Sequence, residues 1–145
     1  MLIPDVNVLL YASDETARHH DPARRWVEAS LSGDEPVGFC WAVLVGFVRI
    51  ATNPRVYDEP LSAEAAIDEV DAWLVPESAT IVEPGRRHLE ILRGLLAELG
   101  TAGNLVSDAH LAALAIERKA TLVSFDNDFS RFPNLRWFDP GRAAR

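Results

Sequence analysis

Apolar runs of strand length alternate with amphipathic helical stretches along this chain, and that order predicts an α/β fold built on a parallel sheet covered on both faces. Two further observations point the same way. The stretches between the strand-like runs are of the length that crossover helices need. With 145 residues, nearly half of them apolar, the chain is long enough for one compact domain over residues 1–145 with a real core, and too short for two ordinary ones. It shows no internal repeat, low-complexity segment or linker.

Met1 to Pro4 reads as a strand ending near Asp5, and Val8 to Ala12 as part of a helix that begins there. Asp14 to Pro22 is a polar loop and helix start. Ala23, Trp26, Val27 and Leu31 recur at helical spacing until Ser32-Gly33-Asp34 stops them. Pro36 to Phe39 makes a brief strand. Trp41 to Thr52 is a nearly all-apolar helix, expected to be buried on most sides and ended by Asn53-Pro54. Ser62 starts the next helix, whose stripe is Ala66, Ile67, Val70, Trp73 and Leu74, and Pro76 closes it. Thr80 to Val82 reads as a strand. Leu89, Leu92, Leu95, Leu96 and Leu99 give a helix that ends at Gly100. Ser107 is expected to cap an alanine-rich helix able to approach a sheet closely. Thr121 to Phe125 is a buried strand, Asp126-Asn127-Asp128 a turn, and Leu135 to Phe138 a last short strand.

Composition narrows the function. The single cysteine, Cys40, lies in an apolar run and reads as a buried, inert thiol, which excludes a disulfide framework. Asp5 interrupts the first apolar stretch, and the longest apolar run, Val37 to Val48, is too short to span a bilayer. The expectation is a cytoplasmic protein with no membrane partner. A net charge of −8 counts against a sequence-reading DNA binder, because such a surface repels phosphate. It does not count against a nuclease whose bound cations reverse the local sign. All but Lys119 of the 14 basic residues are arginine, the side chain suited to bidentate phosphate contact.

In a parallel sheet, ligands gather beyond the carboxyl ends of the strands. Asp5 closes the first strand, Asp126 and Asp128 close the strand over 121–125, and Asp108 opens the helix before it. Four carboxylates converging on one edge resist joint ionisation, unless a hard divalent cation such as Mg²⁺ or Mn²⁺ sits among them. Singly, each has a plainer reading: Asp5 as a helix cap, Asp108 as a complement to a helix dipole, Asp126 and Asp128 as turn formers. Asn7 either orients Asp5 or caps the first turn. Arg49 and Arg55 are candidates for holding a nucleic-acid backbone, with a solvated helix end and a loop charge as the alternative. The four tryptophans suit a core or a dimer contact better than base stacking.

Other chemistries are disfavoured. The histidines lack paired zinc-ligand spacing, although His110 follows Asp108 closely enough to approach the pocket. Asp126-Asn127-Asp128 is no calcium loop, because Arg131 stands where that loop needs Gly and Trp137 where it needs Glu. No Gly-rich phosphate loop with a following Lys is present.

Several segments together resemble one family. Asp5-Val6-Asn7-Val8-Leu9-Leu10-Tyr11-Ala12 looks like the opening D-x-N/S motif of PIN domains, and Val48 to Val56 resembles a segment of VapC toxins. Asn104 to Ala113 and Val123 to Phe129 are similar to the two later acidic motifs. The resemblance implies a three-layer α/β/α, PIN-like fold with a mostly parallel central sheet. It implies a ribonuclease dependent on Mg²⁺ or Mn²⁺, with Asp5, Asp108 and Asp126 as metal-binding and catalytic residues and Asp128 as an auxiliary acid. Ser124 fills the family's Ser/Thr place and supports the site. Toxins of this kind cut cellular RNA, often tRNA or rRNA, leaving 5′-phosphate and 3′-hydroxyl ends. They are silenced by a cognate VapB antitoxin and are usually homodimers. One departure stands out: the glutamate that the family commonly carries on its third helix falls at Gly46, and no acid lies between Phe39 and Asp58. That departure favours one tightly held metal over two, and it keeps alive a PIN-like RNA- or protein-binding module with little catalysis. A phosphotransfer domain with an aspartate nucleophile would need a lysine at the site, and Lys119 lies at the far end of the last long helix.

Overall fold

A computed structural model describes residues 1–100 and 102–142. The described residues form one sheet of β1 (Leu2–Pro4), β2 (Val37–Phe39), β3 (Ala79–Ile81), β4 (Thr121–Val123) and β5 (Arg136–Phe138), in spatial order β3-β2-β1-β4-β5. Every neighbouring pair is parallel, with Leu2 in register with both Val37 and Thr121. Six helices connect them: α1 (Val6–Ser13), α2 (His20–Leu31), α3 (Trp41–Ala51), α4 (Ala63–Leu74), α5 (His88–Leu99) and α6 (Leu105–Glu117). The expected mostly parallel sheet is parallel throughout.

Strand order dictates the layers. The chain steps from β1 through β2 to β3, then crosses back over β1 to β4. Right-handed crossovers therefore place α1 to α4 on one face and α5 and α6 on the other. Packing agrees: α1 lies on α2 and α3, α3 on α4, and α5 on α6. Between β1 and β4 the direction of winding reverses. Loops leaving the two strands diverge to opposite faces there and open a crevice at their carboxyl ends.

The inner strands are sealed, with Ile3, Phe39, Leu122 and Val123 all but inaccessible, while β3 and β5 are short, partly exposed edges. Ala109, Ala112, Ala113 and Ala115 are wholly buried, so α6 owes its close seat to small side chains. Gly100 at φ +67° ends α5 in the left-handed conformation glycine tolerates best.

Three local expectations need correction. Ser107 does not cap α6: the helix starts two residues earlier, at Leu105, because the turn at Gly103 (φ +66°) already directs the Leu105 and Val106 N–H groups to the carbonyls of Ala102 and Gly103. Strand β4 pairs regularly only to Val123, since the Phe125 N–H is taken by the side chain of Asn7. Helix α3 is not buried on most sides. Val43, Leu44 and Phe47 face the core, but Trp41 and Val45 remain more than half exposed, because α3 belongs to an outer layer and only α4 flanks that side. Among the described residues no helix is long and apolar enough to cross a membrane.

Candidate metal and phosphodiester site

The site begins with the crossing from β1 to α1. Asp5 follows the last residue of β1, and its N–H donates to the Val123 carbonyl at 2.8 Å, so its backbone is fixed to β4. It caps α1 through Oδ1, which accepts from the Val6 N–H at 2.7 Å. Oδ2 accepts from Ser124 Oγ at 2.8 Å and from Asn7 Nδ2 at 3.1 Å. The plainer reading of Asp5 as a helix cap therefore holds, and of the two readings of Asn7 the contact supports the one in which it orients Asp5.

Ser124 is the hub. It is wholly buried, and its hydroxyl donates to Asp5 while accepting from Asn7 Nδ2 at 3.0 Å and from the Asp126 N–H at 3.1 Å. That uses its one donor and both lone pairs. Asn7 completes the tie by accepting the Phe125 N–H, and the Ser124 carbonyl takes Trp137 Nε1–H at 3.0 Å. Asp126 then caps a short 3₁₀ turn, Asn127–Arg131, by accepting the Asp128 N–H at 2.8 Å.

Asp108 arrives from the opposite face of the sheet, in the first turn of α6. It lines a groove of about 440 Å³ together with Asp5, Gly46, Arg49 and His110, between the start of α1, the inner side of α3 and the start of α6. The acids sense one another. Burial raises the Asp5 carboxyl to about 6, opposed by its bonds from Ser124 and Val6 and reinforced by the charges of Asp108 and Asp126. Asp108 is raised as well, by burial first and then by Asp126 and Asp128. Carboxylates that mutually resist ionisation at one edge form the donor set a hard cation relieves.

The set is open rather than closed. Among the described residues no three acidic, His or Cys side chains stand as a tight cluster able to encage a metal. Asp128 is exposed and lies 3.6 Å from Arg131, at the outer rim. An open set suits Mg²⁺, which binds through one or two carboxylates and keeps several waters that a substrate phosphate can replace.

Arg49 reaches the groove and Arg55 does not: Arg55 is exposed in the loop after α3, beyond the residues that line it. Gly46 does line it, and a Cβ there would meet only Val6 Cγ2, at 3.7 Å, within 4 Å. The place where the family's glutamate is expected is thus open and empty of a carboxylate. Sequence reasoning missed one cluster beside the groove. His88 Nε2 lies 2.9 Å from His110 Nδ1, and Glu117 stands behind His88. Burial and the neighbouring His88 lower the His110 imidazole below its ordinary value. The spacing of His110 and Glu117, seven residues apart on one helix face, is a readable signal; the pairing with His88 on another helix is not.

The fold is a five-stranded parallel sheet with helices on both faces and an acidic crevice at its switch point, where α/β proteins of this class bind their ligands. The chain belongs to the PIN-domain family, whose profile matches residues 2–135, and it is of the VapC type. It is 51% identical over 140 residues to Ribonuclease VapC37 of Mycobacterium tuberculosis, covering 97% of each chain. It is 43% identical over 142 residues to Ribonuclease VapC33 of the same species, covering 98% of this chain and 99% of that one. In fold it is similar to VapBC2 from Rickettsia felis, solved bound to a DNA fragment from their promoter. That match has a TM-score of 0.70 at 21% identity and covers 95% of this chain and 97% of that one.

Proposed function

We propose that the chain is a Mg²⁺- or Mn²⁺-dependent endoribonuclease, the toxin of a VapBC-type pair, acting in the cytoplasm on cellular RNA of the tRNA or rRNA class. One observation carries the reading. Asp5 and Asp108, from opposite faces of the sheet, line one groove and are electrostatically coupled to Asp126, with Arg49 the basic side chain on the wall.

Asp5, Asp108 and Asp126 would hold the cation, directly or through water. When bound, the cation supplies Lewis acidity, lowering the pKa of a water and offsetting charge on the phosphodiester. The remaining work belongs to the chain. Ser124 and Asn7 hold Asp5 Oδ2 in place, so the carboxylate would meet the cation without reorganising. Arg49 steadies the RNA backbone at the groove wall, and Asp128 at the rim is the auxiliary acid. In-line attack on phosphorus then leaves 5′-phosphate and 3′-hydroxyl ends. A VapB-like antitoxin is the partner that silences the site, and the working form is a homodimer. Membership of the VapC type supports the antitoxin reading, as does a VapBC assembly among the structural relatives, and the homodimer is proposed by the same family resemblance.

The test is incubation of purified protein with total bacterial RNA in Mg²⁺, in Mn²⁺ and in excess EDTA. Discrete fragments with either metal and none in EDTA are expected. Intact RNA bound equally well with or without metal would favour the non-catalytic module that Gly46 keeps open.

A further inference from the structure

The carboxylate set leaves one polar cluster unused. Its members are His88 at the start of α5 and His110 and Glu117 on α6. The two imidazoles meet edge to face, with ring centres 4.7 Å apart and His88 Nε2 at 2.9 Å from His110 Nδ1. Glu117 is itself fixed, its two carboxylate oxygens accepting the backbone N–H groups of Gly85 and Arg87 at 2.9 and 3.2 Å. His88 Nδ1 is buried without a hydrogen bond, and Glu117 Oε2 lies 3.7 Å from it.

Charge orders the protons along this line. A carboxylate behind His88 favours the tautomer with the proton on Nδ1, which leaves Nε2 as an acceptor. The 2.9 Å contact then requires His110 to donate from Nδ1. His110 is left with a bare lone pair on Nε2, which no group among the described residues engages, on a ring that lines the groove beside Asp5 and Asp108.

We propose that His110 is an RNA-contacting residue whose Nε2 accepts a hydrogen bond from a ribose 2′-hydroxyl next to the scissile phosphate. An obligate acceptor cannot bind phosphate oxygens, which are acceptors too. The donor that accompanies every RNA backbone phosphate is the 2′-hydroxyl, and it is also the group DNA lacks. Asp108 and His110 both line the groove, so a strand whose phosphate meets the acids brings its ribose into the same groove as the imidazole. The line Glu117–His88–His110 thereby makes the groove selective for RNA over DNA. This deepens, and rests on, the nuclease reading above.

The experiment uses a synthetic oligoribonucleotide spanning a cleavage site mapped in total bacterial RNA, with Mg²⁺ or Mn²⁺. A matched set carries a single 2′-fluoro group, which cannot donate, at each nucleotide flanking the scissile bond. At one flanking position the wild type is expected to lose about 5–20-fold in kcat/KM, the worth of one hydrogen bond to a neutral acceptor. His110→Ala should lose a similar factor on the all-ribose strand and nothing more on the fluoro strand. His110→Asn, short enough to keep the contact with His88 but not to reach Nε2, should behave like His110→Ala. Independent, multiplying losses would overturn the proposal. So would equal cleavage of the ribose and fluoro strands by wild type, a result that leaves the nuclease reading standing and turns His110 toward water. Failure to cut total RNA with either metal would remove both.

Discussion

The two sides of the groove are built differently. On the β1 side, Asp5 is buried and receives three hydrogen bonds, from Val6, Asn7 and Ser124, and Ser124 has no bonding capacity left over. On the α6 side, Asp108 is half-buried and its place follows from the helix alone, while Asp128 at the rim is exposed. One half is tied down by side-chain hydrogen bonds, and among the described residues the other is placed by its helix without them. The difference assigns roles. On the proposed function, the hydrogen-bonded side is expected to fix the geometry of a bound cation, and the α6 side to contribute less to that geometry.

The largest expected effect breaks the rigid side. Asp5→Asn should reduce RNA cleavage by more than roughly a hundredfold, beyond the 10–100-fold typical of an outer-shell partner, with circular dichroism unchanged. Asp108→Asn should also lose activity, but raising the Mg²⁺ concentration should recover part of it, because the rigid half still places the cation. Equal and unrecoverable losses would erase the contrast. Next comes Ser124→Ala. It removes a donor to Asp5 and strands the Asp126 N–H, so cleavage should fall about 10–100-fold and stability by about 1–3 kcal/mol. A variant that loses stability but keeps full activity would show the hub to be structural only.

Protonation sharpens the comparison further. The folded-state carboxyl of Asp5 is raised to about 6 from an ordinary value near 3.8. Between those limits the native state binds more protons than the unfolded chain, so stability declines as pH rises through that window. Without divalent metal, the wild type should lose about 2–3 kcal/mol between pH 4 and 7 from this group. Asp5→Asn should lack that decline, offset by about 1 kcal/mol because its amide cannot accept on both sides. Mg²⁺ at a hundred times its Kd should return about 2.7 kcal/mol to the wild type at pH 7.5 and much less to the variant. Urea denaturation across pH, with and without metal, measures all three.

Much of this is legible in the sequence. Asp5 and Asp126 sit at strand ends that the apolar runs mark, and the order of elements places both at the switch point of a parallel sheet. What patterning did not carry was the path of hydrogen bonds. Ser107 reads as a cap because it precedes Asp108, yet a left-handed Gly103 starts the helix two residues earlier. The exposed face of α3 was hidden because an all-apolar stretch has no polar side to mark its outer surface. The pairing of His88 with His110 joins helices 22 residues apart in sequence, and periodicity is silent about such contacts.

Asp128 provides the finest test. It acts on Asp108 through charge, yet its carboxylate lies 3.6 Å from Arg131 in a pair where both side chains are about half exposed. Such a pair contributes only about 0–1 kcal/mol to stability. Asp128→Asn should therefore leave the melting temperature within about 3 °C of wild type and lower cleavage only about 2–5-fold, since its field is screened by solvent. The loss should shrink as ionic strength rises from 50 to about 500 mM, where the Debye length falls well below 10 Å. A loss as deep as that of Asp5→Asn, insensitive to salt, would instead make Asp128 a direct ligand and shift the ordered part of the site outward to the rim.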